Sequence, residues 1–140
     1  MIELVTSVSL WELVKHAGTW VSNLKRAKQS RKLESTAALR KVVVASRKTA
    51  IYIRKQKQNP IRDIDAEGEL SLLWTELSFE LKDLKLDKLS ERCFIKGKQW
   101  ENPELADLLL LDKSDHSLEK IERIATCLLY TSPSPRDTRE

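Results

Sequence analysis

The chain is 140 residues long, with 33% charged and 41% apolar residues and only three glycines and four prolines. That length fits one domain able to bury a core, and a Leu-, Lys- and Glu-rich composition poor in Gly and Pro favours helices over sheets. No run approaches the roughly 20 apolar residues that span a bilayer. The first residues, MIELVTSVSLWELV, lack the basic region and small-residue cleavage site of a secretory signal. A cytoplasmic location is therefore expected. Two cysteines, Cys93 and Cys127, are too few for a disulfide framework.

Residues 2–8 are short and β-branched and read as extended. Ser9 and Glu12 then have capping-box spacing, and Val8 with Leu13 have staple spacing, so a helix starts here. Leu10, Leu13, Val14, Ala17, Trp20, Val21 and Leu24 form its apolar stripe. Gly18 weakens this helix by up to about 1 kcal/mol relative to Ala without ending it. Trp11 falls off the stripe, so it packs under residues 2–8 or faces a partner.

The stretch KRAKQSRK, residues 25–32, has one small apolar residue, and a break is expected near Gln29–Ser30 with Ser30 capping the next helix. That second helix is expected over Arg31 to Lys57. Basic pairs recur there every seven residues, at Arg40–Lys41, Arg47–Lys48 and Arg54–Lys55. Seven residues is nearly two helical turns, so the pairs stack on one face, with Leu39, Val42, Val43, Ser46, Ala50 and Ile53 opposite. The runs Val42–Val44 and Ile51–Ile53 favour strands by propensity, but the sustained repeat outweighs that.

Asn59-Pro60 ends this helix, because the residue before proline is steered out of the α region. A loop is expected from Ile61 to Glu67, with Asp63 or Asp65 as the next N-cap. Leu70 to Leu84 is the cleanest amphipathic stretch: Leu70, Leu73, Trp74, Leu77, Leu81 and Leu84 against Ser71, Glu76, Glu80 and Asp83. A shorter helix, Asp87 to Lys96, turns Leu86, Leu89, Cys93 and Ile95 inward and stops at Gly97 as its C′ residue, leaving Trp100 in a linker. Asn102-Pro103-Glu104 restarts a short helix to Leu111, and Asp115 caps a last one carrying Leu118, Ile121, Ile124 and Ala125.

Residues 127–137 read CLLYTSPSPRD. This peptide resembles the conceptual translation of the adapter used in transposase-based sequencing-library preparation. The resemblance implies a non-native, disordered tail over 127–140 in an environmental sequence, and therefore a C-terminal truncation of the single helical domain that the apolar stripes predict over residues 1–126. The competing reading is a natural Ser/Pro-rich tail.

Charge is unevenly placed. Residues 24–62 hold thirteen Lys/Arg and one acid, a net of +12, and residues 63–91 hold nine Asp/Glu and three Lys, a net of −6. Either the basic helix lies beside the acidic one and is balanced in place, or its stripe meets a polyanion such as DNA or RNA with steeply salt-dependent affinity, or it meets an anionic membrane surface. Tyr52 beside the stripe is placed either to stack on a base or simply to pack. No zinc finger or helix-turn-helix accompanies the stripe.

No cofactor or metal is expected. His16, Cys93 and His116 stand far apart with no HxxxH, CxxC or HExxH spacing, and Gly18, Gly68 and Gly97 stand singly, so no phosphate-cradling loop exists. Cys93 on an apolar face reads as an inert core thiol. Asp63/Asp65 and Glu67/Glu69 read as cap and helix-dipole carboxylates rather than ligands. The short Arg–His spacing of HEPN-type ribonucleases is missing.

The expected architecture is all-α, a compact bundle of five or six helices whose stripes 10–24, 39–53 and 70–84 close on each other under shorter C-terminal helices. The function these residues support first is a non-catalytic protein-interaction module, self-associating or part of a larger assembly, with Trp11 and Trp100 as candidate contact residues. The alternative is a nucleic-acid-binding accessory protein using Arg40, Lys41, Arg47, Lys48, Arg54 and Lys55. An enzyme is the least supported class, since no reactive constellation is present.

Overall fold

The computed structural model describes residues 9–101 and 111–130, the side chains of the last helix being described from Ser117 onward. Six helices, and no strand, occur among the described residues: α1 (Leu10–Lys25), α2 (Gln29–Glu34), α3 (Thr36–Gln58), α4 (Ile64–Asp83), α5 (Asp87–Trp100) and α6 (Leu111–Tyr130). The protein is an all-α bundle.

Local signals explain most boundaries. Ser9 caps α1 by accepting the Glu12 amide at 3.0 Å, as the capping spacing predicts. Val8, the other half of the expected staple, lies outside the described residues, as do the extended segment 2–8 and the expected start of a helix at Asn102-Pro103. Asp63 caps α4 by accepting the Ala66 amide, so the helix starts at Ile64 and the expected loop to Glu67 is shorter. The α4–α5 turn is a Schellman arrangement. Leu86 N–H donates to Leu81 O at 3.0 Å, Lys85 N–H donates to Lys82 O at 2.9 Å, and Lys85 takes the left-handed conformation at φ 67°.

Four expectations need correction. The break after α1 falls at residues 26–28, not at Gln29–Ser30. Lys28 is the extended residue before α2, and Ser30 lies inside that helix. The apolar stripe of α1 runs out at Leu24, and the Arg26 amide folds back on Asn23 O and Leu24 O. A second discontinuity at buried Ser35 separates α2 from α3.

Gly97 is not a C′ residue either. Helix α5 runs through it to Trp100, because the glycine is where α5 crosses α4: a Cβ there would lie 2.9 Å from Ser71 O, 3.1 Å from Thr75 N, and against the Thr75 hydroxyl. Asp115 lies within α6 rather than ahead of it. Finally, α6 continues past residue 126 to Tyr130 with Leu128 and Leu129 half-buried on the core, so residues 127–130 are helical.

The expected stripes are buried: Leu10, Leu13, Val14, Ala17, Val21 and Leu24 on α1; Leu39, Val42, Ser46, Ala50 and Ile53 on α3; Leu70, Trp74, Leu77 and Leu81 on α4; Leu118, Ile121 and Ala125 on α6. Their arrangement differs from three ridges closing directly. The principal packing partners form a ring, α1 to α6, α6 to α3, α3 to α4, α4 to α5 and α5 to α1. Helix α6, expected from the sequence to be a short cover, is inserted between α1 and α3. The Trp74 indole N–H, near the middle, donates to the Thr49 hydroxyl at 3.2 Å, so this buried indole is polar-satisfied.

Candidate functional site

Helix α3 places its basic pairs as two rows. The Lys row faces α4, where Lys41 pairs with Glu76 and Lys48 with Glu69, both at 3.3 Å. Seven residues separate the lysines, seven separate the glutamates, and they run in opposite directions, as antiparallel neighbours require. The Arg row faces α6, where Arg47 pairs with Glu122 and Arg54 with Glu119. Four of the six stripe cations are thus paired at home. Arg40 and Lys55 form no ion pair among the described residues.

Between the rows lies a position that sequence reasoning missed. Val44 and Ile51 are seven residues apart, midway between the Arg row and the Lys row, and they face outward. Helix α4 repeats the pattern with the opposite sign. Leu72 and Phe79 face outward with Glu69 and Glu76 on one flank, and Phe79 meets Phe94 of α5 at 6.3 Å between ring centroids. These five apolar side chains are 42% to 65% exposed. The clue is visible on a helical wheel, where a β-branched residue sits inside each repeat of the charged face.

Two grooves flank Ile51. One, of about 680 Å³, lies between α3 and α6 over Ala50, Leu118 and Thr126, with Arg47, Arg54 and Glu122 on its rim. A smaller one, of about 220 Å³, follows the α3–α4 seam over Tyr52, Ala66 and Leu70.

Neither candidate tryptophan stands clear of the bundle. Trp11 is half-buried and engaged by a neighbour. Trp100 is corrected from linker to core: it ends α5, is 2% exposed, and cannot serve as a contact residue on this surface. Its ring stands edge-on to Tyr52, with centroids 5.7 Å apart, and the Lys96 ammonium lies 5.9 Å from its centroid.

Beside it is the most polar part of the interior. Glu67, buried at the first turn of α4, accepts the Tyr52 hydroxyl and both Nε (2.6 Å) and Nη2 (2.9 Å) of Arg62. Burial and the hydrogen bond to Glu67 push the Tyr52 phenol up to about 12. The same carboxylate holds the Arg62 guanidinium above its ordinary value. The sequence pattern marks Glu67 only for helix-dipole duty and does not mark Arg62 or Lys96 at all. The cluster joins three segments across the N-terminus of α4, so no single spacing reveals it. Its groups satisfy one another, and its evident work is to lock the 59–63 loop onto α3 and α4, assisted by Gln56 donating to Ile61 O at 2.7 Å.

Cys93 is fully buried, and burial pushes its thiol up, which fits an inert core group. His16 is exposed and held below its ordinary value, first by partial desolvation and then by the Arg92 charge. Among the described residues no group of three or more His, Cys, Asp or Glu is placed to share a metal ion, and no helix is long and apolar enough to cross a membrane. Comparison of the chain with family models, with curated proteins and with solved structures returns no match.

Proposed function

We propose that the protein is a non-catalytic helical interaction module working through the outer face of α3 and α4. The observation that carries this reading is the pairing of the cationic rows with Glu69, Glu76, Glu119 and Glu122, which leaves apolar strips at Val44/Ile51 and Leu72/Phe79 as the unmatched feature. An apolar centre bordered by neutralised charge suits a protein partner. A polyanion approaching α3 would meet carboxylates beside every paired cation, which disfavours nucleic acid.

A photo-crosslinking residue introduced at Ile51 or Phe79 tests this. Protein adducts are expected from both positions and not from exposed Leu33 on α2. Equal yields at all three positions overturn the reading. So does salt-sensitive binding of labelled DNA or RNA that is abolished by Arg47→Glu with Lys48→Glu.

A further inference from the structure

Most stripe cations of α3 are matched by carboxylates, but the cations at the α1–α2 corner are not. From this we infer that the corner is a second binding surface, whose partner is the sugar–phosphate backbone of double-stranded DNA. Helix α2 carries neither apolar strip, so this surface is distinct from the outer face of α3 and α4.

Residues 25–34 hold Lys25, Arg26, Lys28, Arg31 and Lys32 against one acid, Glu34, a net of +4. Lys32 is half-buried and the other four cations are exposed. Among the described residues none of the five forms an ion pair, and Arg26 donates only to the neutral Asn23 amide oxygen, at 3.1 Å. Like charges held this close repel one another, a cost that a bound polyanion removes.

The demands of the fold do not account for the cluster. Lys25 and Arg26 suit the C-terminal end of α1, and Arg31 and Lys32 suit that of α2. Lys28 has no such reason, because it occupies the N-cap of α2, where the helix dipole disfavours a cation. Helix α2 also buries no residue, has no side-chain cap and carries no acid in its first turn. Lys28, Arg31 and Lys32 follow at spacings of three and four and so share a face, with the exposed polar residues Gln29 and Ser30 beside them.

The surrounding chemistry selects the anion. Leu33 is the one large apolar side chain exposed on α2, too little to enter a bilayer or to form the apolar centre of a protein interface. No aromatic residue occurs between 25 and 34 to stack on an unpaired base. A duplex held by its phosphates, without sequence preference, fits these residues. The major groove of B-form DNA, about 12 Å wide, admits a helix as open as α2, whereas that of A-form RNA is too narrow.

Fluorescence anisotropy of the full chain with labelled duplexes, across rising salt, reads the outcome. Two unrelated DNA sequences are expected to bind equally, with a slope of about −3 to −4 in log affinity against log salt, as three or four phosphate contacts give. Lys28→Glu with Arg31→Glu, both at exposed positions, is expected to weaken binding about tenfold or more and to make the slope shallower by about 2, without lowering the melting temperature. The same charge change at the C-terminal ends of α3 and α5, Lys55→Glu with Lys98→Glu, is expected to alter affinity by less than about threefold.

No binding of duplex DNA at low salt overturns the inference, as does an equal loss from the two double variants. Duplex RNA, single-stranded DNA or polyglutamate bound as tightly as duplex DNA overturns it too, as does sedimentation with phosphatidylserine vesicles in place of DNA binding.

Discussion

Glu67 accepts the hydroxyl of Tyr52, a residue fifteen positions earlier, in the one place where this bundle buries a carboxylate among the described residues. The pair is closed by Arg62, whose guanidinium reaches Glu67 from the residue just before the α4 cap. A buried acceptor shared by two donors is costly to disturb, because every partner left behind has been withdrawn from water.

Glu67→Ala is expected to cost about 2 kcal/mol, chiefly by leaving the buried Tyr52 hydroxyl without an acceptor while half-exposed Arg62 turns to solvent. Tyr52→Phe is expected to cost less, about 1 kcal/mol, since Arg62 still satisfies the carboxylate. Urea titrations of the two variants and their double mutant measure the coupling.

The same pair sets an alkaline limit. Tyr52 is raised from 10.0 to about 12 in the folded chain, so above pH 10 the unfolded form loses this proton while the folded form keeps it. The stabilisation is complete below about pH 10 and lost as pH rises through about 12. Thermal melts across that window are expected to fall for the parent chain, and Tyr52→Phe is expected to lack this component. Parallel curves would reject it.

Gly97 and Gly68 are both helical yet predict opposite outcomes. Gly97→Ala drives a methyl against Ser71 O and the Thr75 side chain and is expected to destabilise by about 1–3 kcal/mol. Gly68→Ala meets nothing within 4 Å and is expected to stabilise by up to about 1 kcal/mol. Guanidinium midpoints moving in the same direction would contradict the crossing geometry.

Lys85 holds the left-handed turn position that glycine takes without steric cost. Lys85→Gly is expected to raise stability by about 1 kcal/mol, a few degrees in Tm. Lys85→Ala, which keeps the Cβ, should not, and calorimetry of the two variants separates backbone strain from loss of the side chain.

The thiols differ by burial. An aromatic disulfide reagent is expected to modify exposed Cys127 promptly in the native chain and to reach Cys93 only in denaturant. Prompt reaction of both would show that α5 opens readily.

Much of the fold is legible in the letters because helical amphipathicity is a local property. Leu13, Val14 and Val21, or Leu70, Trp74 and Leu81, declare a buried stripe without reference to any other segment, and Ser9 and Asp63 announce their helices through hydrogen bonds spanning three residues. Periodicity also places the six stripe cations on one side of α3. Where local signals conflict with packing, packing prevails. Gly97 reads as a stop, but a close crossing with Ser71 needs the same missing Cβ. Trp100 reads as a linker residue, but the space beside Tyr52 needs a large ring.

Helicity, the core faces and the separation of charge between residues 24–62 and 63–91 are therefore written in the chain itself. The choice of neighbours is not: packing alone sets α6 between α1 and α3, brings Glu69 and Glu76 to the Lys row and Glu119 and Glu122 to the Arg row, and leaves Val44 and Ile51 outside. The reason is physical. An apolar stripe specifies that a face must be covered, and burial is indifferent to which partner covers it; the choice is made by how five ridges close into one ring.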